Sequence, residues 1–206
     1  MTILLAPAHA RALALTAPVV AAIRPEQLAL PTPCVDWTLR RLLEHVIGQQ
    51  YGFAAAARGQ GADLAVWADR PVATGQAGTL AALAAFADSA RELTEAFAAA
   101  EAAAATLQLP EILAGHAFPA GQAIGFHLLD TLVHAWDLAA AVGLPLEVPA
   151  DLAGLLLGIA EQVPADSHAR RPGRAFAPVV PAPEGADAFE RALRLLGRDP
   201  RWQPAG

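Results

Sequence analysis

Four polar side chains on one face of a predicted helix constrain this chain more than any other feature. In the run from Gly125 to Asp137, residues His127, Asp130, His134 and Asp137 follow one another at intervals of three, four and three. That spacing places them on one face of an α-helix. The rest of the run is mostly apolar, so we expect this face to be buried, where unpaired charges are costly. The four groups therefore need a partner, and a divalent metal ion is the first hypothesis.

The composition predicts a mainly α protein. The chain has 206 residues and is 55% hydrophobic, which is enough for a sizeable core. Alanine-rich stretches such as 97–106 have high helix propensity, and few short alternating segments compete with them. We predict a four-helix bundle over residues 1–148, followed by a Pro-rich C-terminal extension over 149–206 that packs on the bundle.

The predicted helices follow from apolar periodicity and from the residues that begin and end helices. Pro18 is expected to kink or interrupt the first helix. The Gly- and Asp-rich segment 58–78 is predicted to be a long loop, and 107–119 to hold a short strand or only a turn. The four bundle helices are predicted near 8–23, near 39–47, near 79–105 and near 120–142, and Asp36 or Thr38 is the predicted cap of the second, which runs through Ile47. The two helices of the extension are predicted near 149–162 and 186–196.

Charge and cysteine content exclude several classes of function. The net charge is −6 and the 14 basic residues are scattered, so no basic surface for nucleic acid is expected. The single cysteine, Cys34, allows no internal disulfide, which is compatible with a reducing cytoplasm. The apolar run 12–23 contains Pro18 and is too short to span a bilayer. We predict a cytoplasmic protein that binds neither membrane nor nucleic acid.

Helix geometry leaves two possible ligand sets. Asp130 and His134 lie one turn apart, about 6 Å along the axis, so both can reach one ion. His127 and His134 are about 10.5 Å apart, too far for both to bind the same ion on a regular helix. His45, near the apolar face of the second predicted helix, is a candidate third ligand. His45 with Asp130 and His134, or His45 with His127 and Asp130, both remain open on spacing alone.

Several runs of sequence resemble a known family. The runs Thr32–Arg40, Leu43–Val46 and Asp130–Ala139 are similar to those of an actinobacterial branch of the DinB-like metal-binding four-helix bundles. The mycothiol-dependent maleylpyruvate isomerase belongs to the same superfamily. The resemblance covers most of the chain, including the closing run Leu195–Pro200. It implies a DinB-like four-helix bundle for the fold.

The resemblance also implies a ligand set. In that isomerase a histidine on the second helix and an acidic residue and a histidine four apart on the last helix hold the metal, which match His45, Asp130 and His134. Asp130 stands where the isomerase has a longer glutamate, so a metal here is expected to sit deeper, to bind more weakly or to reach Asp130 through water. Zinc is the default ion for such ligands, and nickel, iron and manganese also suit them.

A three-ligand site leaves coordination positions open and would lower the pKa of a bound thiol or water. The resemblance implies a metal-dependent thiol transferase or isomerase that activates a low-molecular-weight thiol, such as mycothiol, toward an electrophilic small molecule. The alternative is a non-catalytic metal- or small-ligand-binding protein with a structural or vestigial site. A third hypothesis is a bundle that acts through a partner, for instance as a homodimer built on Ala-rich helix faces.

The other polar and aromatic residues have more ordinary interpretations. We expect His127 to support Asp130 or line a cavity, and Asp137 to orient a ligand histidine or bond to a neighbouring helix. Cys34 is interpreted as a small core or loop residue, and Trp67 as a pocket-lining aromatic. Trp37 and Trp136 are expected to be packing anchors, His9, His116 and His168 surface or loop histidines, and Arg170, Arg171 and Arg174 a solvated loop or an anion site.

Overall fold

Four long helices dominate the structure, as the composition predicts. The computed structural model describes residues 4–170 and 175–204. The long helices are α1 (Ala6–Ala21), α2 (Leu39–Ala57), α3 (Gly75–Ala102) and α4 (Ala120–Val142). The predicted mainly α fold class is confirmed.

The helices pack in a square. Helices α1 and α2 each pack against both α3 and α4, so α1 and α2 occupy opposite corners. Two large apolar clusters fill the interior, one around Leu93, Phe97 and Ile124 and the other around Leu42 and Leu138. Because α4 lies beside both α1 and α2, its polar face can meet side chains from both neighbours.

A small hairpin joins α3 to α4. Strand β1 (Thr106–Gln108) pairs antiparallel with β2 (Ala117–Pro119), with Leu107 opposite Phe118. Both of these side chains are buried in the core, while their strand neighbours are exposed. The strand alternative predicted for this segment is confirmed. Helix α4 follows directly and ends at Gly143, whose φ of 71° is the left-handed conformation that stops a helix.

Helix α1 runs through Pro18 without interruption, so of the two predicted alternatives, a kink or an interruption, the interruption is wrong. Proline deprives the carbonyl of Ala14 of its helical donor. Ala14 and Pro18 both lie on the exposed face of α1, where water can solvate that carbonyl. The helix therefore continues to Ala21.

Helix α3 begins four residues earlier than predicted. Gly75, with a φ of 79°, opens the helix after an extended Thr74. The preceding loop is also partly regular, since Leu64–Trp67 forms a short 3-10 turn. Gly and Asp enrichment in 58–78 therefore concealed the start of a helix.

Two further helices follow the bundle. Helix α5 (Ala150–Ala160) packs against α4, and α6 (Ala188–Leu195) packs against α5. Leu128 and Leu132 of α4 share an apolar cluster with Leu152, Leu156 and Leu193 of these two helices. The division of the chain into units 1–148 and 149–206 stays a prediction.

Within the described residues, no helix combines the length and apolar character that crossing a bilayer requires.

Candidate metal centre

Three of the residues singled out in the sequence meet between α2 and α4. His45 from α2 and Asp130 and His134 from α4 each offer a ligand atom, and these atoms all lie within 4.8 Å of one another. His134 Nε2 is 3.4 Å from Asp130 Oδ1. The structure thus brings together one of the two ligand sets left open by spacing, while His127 belongs to another cluster.

The three groups fit a divalent ion with little adjustment. Ligand bonds of about 2.1 Å in a tetrahedral site place neighbouring ligand atoms about 3.4 Å apart. The Asp130–His134 separation already has that value, and the widest separation in the group needs to close by about 1 Å or slightly more. Two imidazoles and one carboxylate are also the donor types that zinc and its neighbours prefer.

One side of the group faces solvent. The side chain of Asp130 is 29% exposed, that of His45 20% and that of His134 11%. Among the described residues, the group of potential ligands has three members. The group is therefore partly accessible to solvent.

Asp137 holds the ring of His134 from the opposite side. Its Oδ2 lies 2.9 Å from His134 Nδ1, so this carboxylate accepts a hydrogen bond and leaves Nε2 directed toward Asp130. Asp137 is completely buried and also binds Arg198, whose Nη2 donates to the same oxygen at 3.1 Å. Asp137 thus contacts the candidate ligand His134, as one of the two expectations for it required, and Arg198 is a partner that the sequence did not reveal.

His45 has its own support. Its Nδ1 lies 3.3 Å from Oδ1 of Asp69, in the loop before α3, which leaves Nε2 for a ligand. The ring of Trp37 contacts His45 edge-to-face, with centroids 4.8 Å apart, and lies parallel to the ring of His134 at 6.3 Å. Trp37 was expected to be only a packing anchor, but it forms a wall of this site.

The segment before α2 fixes Trp37 in place. Pro31 pairs with Thr38 in an isolated bridge, and Thr32 Oγ1 donates to the carbonyl of Trp37 at 3.0 Å. Asp36 adopts a φ of 67°, in the left-handed region that aspartate tolerates better than most residues. This tight turn directs the indole toward the site.

Burial and charge oppose each other in this cluster. Burial by itself would lower the pKa of His134, but the Asp130 carboxylate and the hydrogen bonds outweigh it and raise that pKa to about 9. Burial would likewise raise the pKa of Asp130, yet His134 holds it well below its usual range. For His45, burial dominates and lowers the pKa. The site therefore holds a partly buried carboxylate beside an imidazole, an arrangement whose negative charge a metal cation would also neutralise.

Comparison with known proteins places the chain in a family. Residues 9–139 match the family described as the mycothiol maleylpyruvate isomerase N-terminal domain. The chain belongs to the mycothiol maleylpyruvate isomerase N-terminal domain family. The matched residues include all three members of the candidate metal group, and the suspected relation is confirmed. This membership indicates a mycothiol-related, metal-binding family.

Two relatives are similar over nearly their whole length. They are uncharacterized proteins from Mycobacterium tuberculosis, one from strain CDC 1551 / Oshkosh and one from strain H37Rv. Each is 35% identical over 197 residues, which cover 94% of this chain and 97% of the relative. No solved structure gives a significant match.

A second polar cluster lies deeper between α1 and α4. His9 and His127 are buried, and His9 Nε2 lies 2.7 Å from His127 Nδ1. Thr131 Oγ1 lies 3.1 Å from that nitrogen of His127. The rings of Phe53 and Phe97 contact the pair edge-to-face. The expectation of a surface His9 is wrong, and His127 pairs with His9 rather than supporting Asp130.

A sequence signal for His9 was present. His9 falls in step with Ala12, Leu13 and Thr16, all of which are buried on the inner face of α1. For Arg198 and Asp69 no comparable signal exists, because their partners lie 61 and 24 residues away in the chain.

We expect His127 to make the protein sensitive to acid. Burial lowers its pKa to about 4, whereas an unfolded histidine titrates near 6.5. Below pH 6.5 the unfolded chain therefore binds a proton that the folded chain excludes. The stability associated with this group is complete above about pH 6.5 and is lost toward about pH 4, on the order of 3 kcal/mol.

Urea unfolding at several pH values between 7.5 and 4 measures this effect. His127→Leu should lose less stability over that range than the wild type, although His9, whose pKa burial also lowers, keeps part of the dependence. His116→Leu, at an exposed position, should retain the wild-type pH dependence. Identical pH dependence in His127→Leu and the wild type would contradict the explanation.

The remaining expectations have mixed outcomes. Trp67 is buried against Phe53 and donates to the carbonyl of Gly61, so it packs the core rather than lining a pocket. Burial raises the pKa of Cys34 to about 11, which agrees with a structural thiol. His116 is exposed as expected.

The structure describes only part of the arginine group near residue 170. Arg170 is buried and donates to the carbonyls of Val163, Pro164 and Ala177, so it holds its own loop together instead of standing in solvent. Arg171, Arg174 and the side chain of His168 lie outside the described residues.

Proposed function

We propose that this chain binds one divalent metal ion through His45, Asp130 and His134 and uses the open side of that site to activate a low-molecular-weight thiol toward an electrophilic small molecule. The observation that carries the proposal is the convergence of three ligand atoms within 4.8 Å while Asp130 stays 29% exposed. A structural zinc site would instead be closed by a fourth protein ligand. Zinc is the proposed ion, with nickel, iron and manganese as alternatives.

A bound metal would supply a Lewis acid that lowers the pKa of a thiol or water near neutral pH. The residues of the chain orient the ligands and shield the site. Asp69 and Asp137 contact the Nδ1 atoms of His45 and His134, which leaves the Nε2 atom of each ring available to the metal. Trp37 covers the two imidazoles and excludes water from that side.

The thiol is proposed from the family. Mycothiol appears in the name of the matched family, and a transferase or isomerase reaction is the chemistry that such a thiol would serve. The only cysteine, Cys34, has a raised pKa, so the chain offers no reactive thiolate of its own. A supplied thiol is therefore the better nucleophile, and a reducing cytoplasm is the compartment that this proposal implies.

Cobalt-loaded protein tests the thiol proposal directly. Adding mycothiol, or a simpler thiol such as N-acetylcysteine, should produce the sulfur-to-cobalt absorption band that marks thiolate binding. The matched oxygen compound, N-acetylserine, should not. An unchanged spectrum at saturating thiol would contradict thiol activation and favour a non-catalytic metal site.

A further inference from the structure

Arg198 connects the C-terminal tail to the bundle. It follows α6 and is buried, with only 5% of its surface exposed. Its Nε and Nη2 donate to the two oxygens of Asp137 at 3.4 and 3.1 Å, and its Nη1 donates to the carbonyl of Leu196 at 3.2 Å. The guanidinium thus forms a bidentate interaction with a carboxylate of α4.

The turn before Arg198 requires a glycine. Gly197, just before it, has a φ of 81°, and an added Cβ there would lie 2.6 Å from the side chain of Ala177. Only glycine fits this combination of conformation and close approach. The backbone therefore fixes where the Arg198 side chain begins.

The same carboxylate holds His134. Oδ2 of Asp137 lies 2.9 Å from His134 Nδ1 and 3.1 Å from Arg198 Nη2, so one oxygen contacts both side chains. Asp137 is completely buried, and Arg198 contacts both of its oxygens. Arg198 therefore fixes the orientation in which this carboxylate accepts from the imidazole.

We propose that Arg198 is a positioning residue for His134, through which the C-terminal tail and metal binding are coupled. The proposal rests on the proposed metal site. Arg198 lies beyond the family match at residues 9–139, so this contribution comes from the extension rather than from the matched domain. Since coupling free energies are reciprocal, metal binding must also stabilise the docked tail.

The chain offers a matched control. Arg194, in α6, is buried to a similar degree and pairs with Glu190 at 2.8 Å. It also donates to the carbonyl of Pro181 and has no hydrogen bond to Asp137. Loss of Arg194 removes buried contacts within the tail without removing the support of His134.

Zinc affinity, measured by competition with a coloured chelator, distinguishes support of His134 by Arg198 from the structural role of a buried arginine in the tail. We expect Arg198→Met to weaken zinc binding about 10- to 100-fold, as loss of groups that support ligands does elsewhere. Arg198→Lys should recover part of the lost zinc affinity, because lysine keeps the positive charge but not the bidentate hydrogen bonding of the guanidinium. Arg194→Met should stay within about twofold of the wild type. Equal losses in Arg198→Met and Arg194→Met, or no loss in either, would overturn the proposal.

A second measurement needs no metal. In metal-free protein at fixed pH, the ring proton chemical shifts of His134 should change in Arg198→Met and Arg198→Lys but not in Arg194→Met. A wild-type protein that binds no zinc would contradict the proposed function, while these shifts would still decide whether Arg198 positions His134. Unchanged shifts in both Arg198 variants would overturn the positioning role.

Discussion

Replacing Asp137 with alanine is expected to destabilise the folded protein by about 3–5 kcal/mol, the usual cost of breaking a buried ion pair by removing one partner. Asp137 is completely buried, and its carboxylate accepts from both Arg198 and His134. The variant leaves the Arg198 guanidinium buried without a counterion. Urea or thermal unfolding followed by circular dichroism measures the change in the free energy of unfolding.

A surface pair provides the control for this prediction. Asp151 pairs with Arg11 across α1 and α5, and both side chains are more than half exposed. Asp151→Ala removes the same chemical group from a similar arginine pair in a solvated setting, so it should have little effect. Similar losses in the free energy of unfolding of Asp137→Ala and Asp151→Ala would contradict the prediction that the buried Asp137 contributes more to stability than an exposed aspartate.

Replacing His134 with alanine is expected to abolish stoichiometric metal binding. The variant removes one of three ligands and leaves Asp130 and His45 unable to hold an ion tightly. Helical content should remain close to that of the wild type, because alanine favours the helix and position 134 lies in the middle of α4. Metal titration together with circular dichroism checks both parts.

His127→Ala is the matched variant for this prediction. It removes a buried histidine from the same helix, one heptad earlier, but from the cluster with His9. We expect it to retain metal while losing stability. Full metal retention in His134→Ala, or loss of metal in His127→Ala, would exclude the proposed ligand set.

The sequence predicted the elements that carry their own local signals. The predicted bounds of α4, 120–142, match the structure, and the meeting of His45, Asp130 and His134 followed from helix spacing and family resemblance. The start of α3 was missed because Gly75 and Gly78 resemble loop residues, although here they begin a helix. Local composition cannot distinguish these two uses of glycine.

The partners of the site residues were harder to predict because they depend on packing between distant segments. Arg198 reaches Asp137 only because α6 and the tail fold back over α4. Trp37 reaches His45 only because the turn at Asp36 bends the chain before α2. Neither contact has a spacing that can be read along the chain. The meeting of the three candidate ligands was therefore predictable from the sequence, and most of their hydrogen-bond partners were not.

Metal content is the most direct test of the central claim. Elemental analysis of untagged protein, purified without chelator, should be made on the wild type beside His45→Ala. The three-ligand site predicts about one equivalent of divalent metal in the wild type, as expected for a single site with one ion, and its loss in the variant. Wild-type protein that contains no metal and takes up no added zinc, or a variant that retains a full equivalent, would contradict the account.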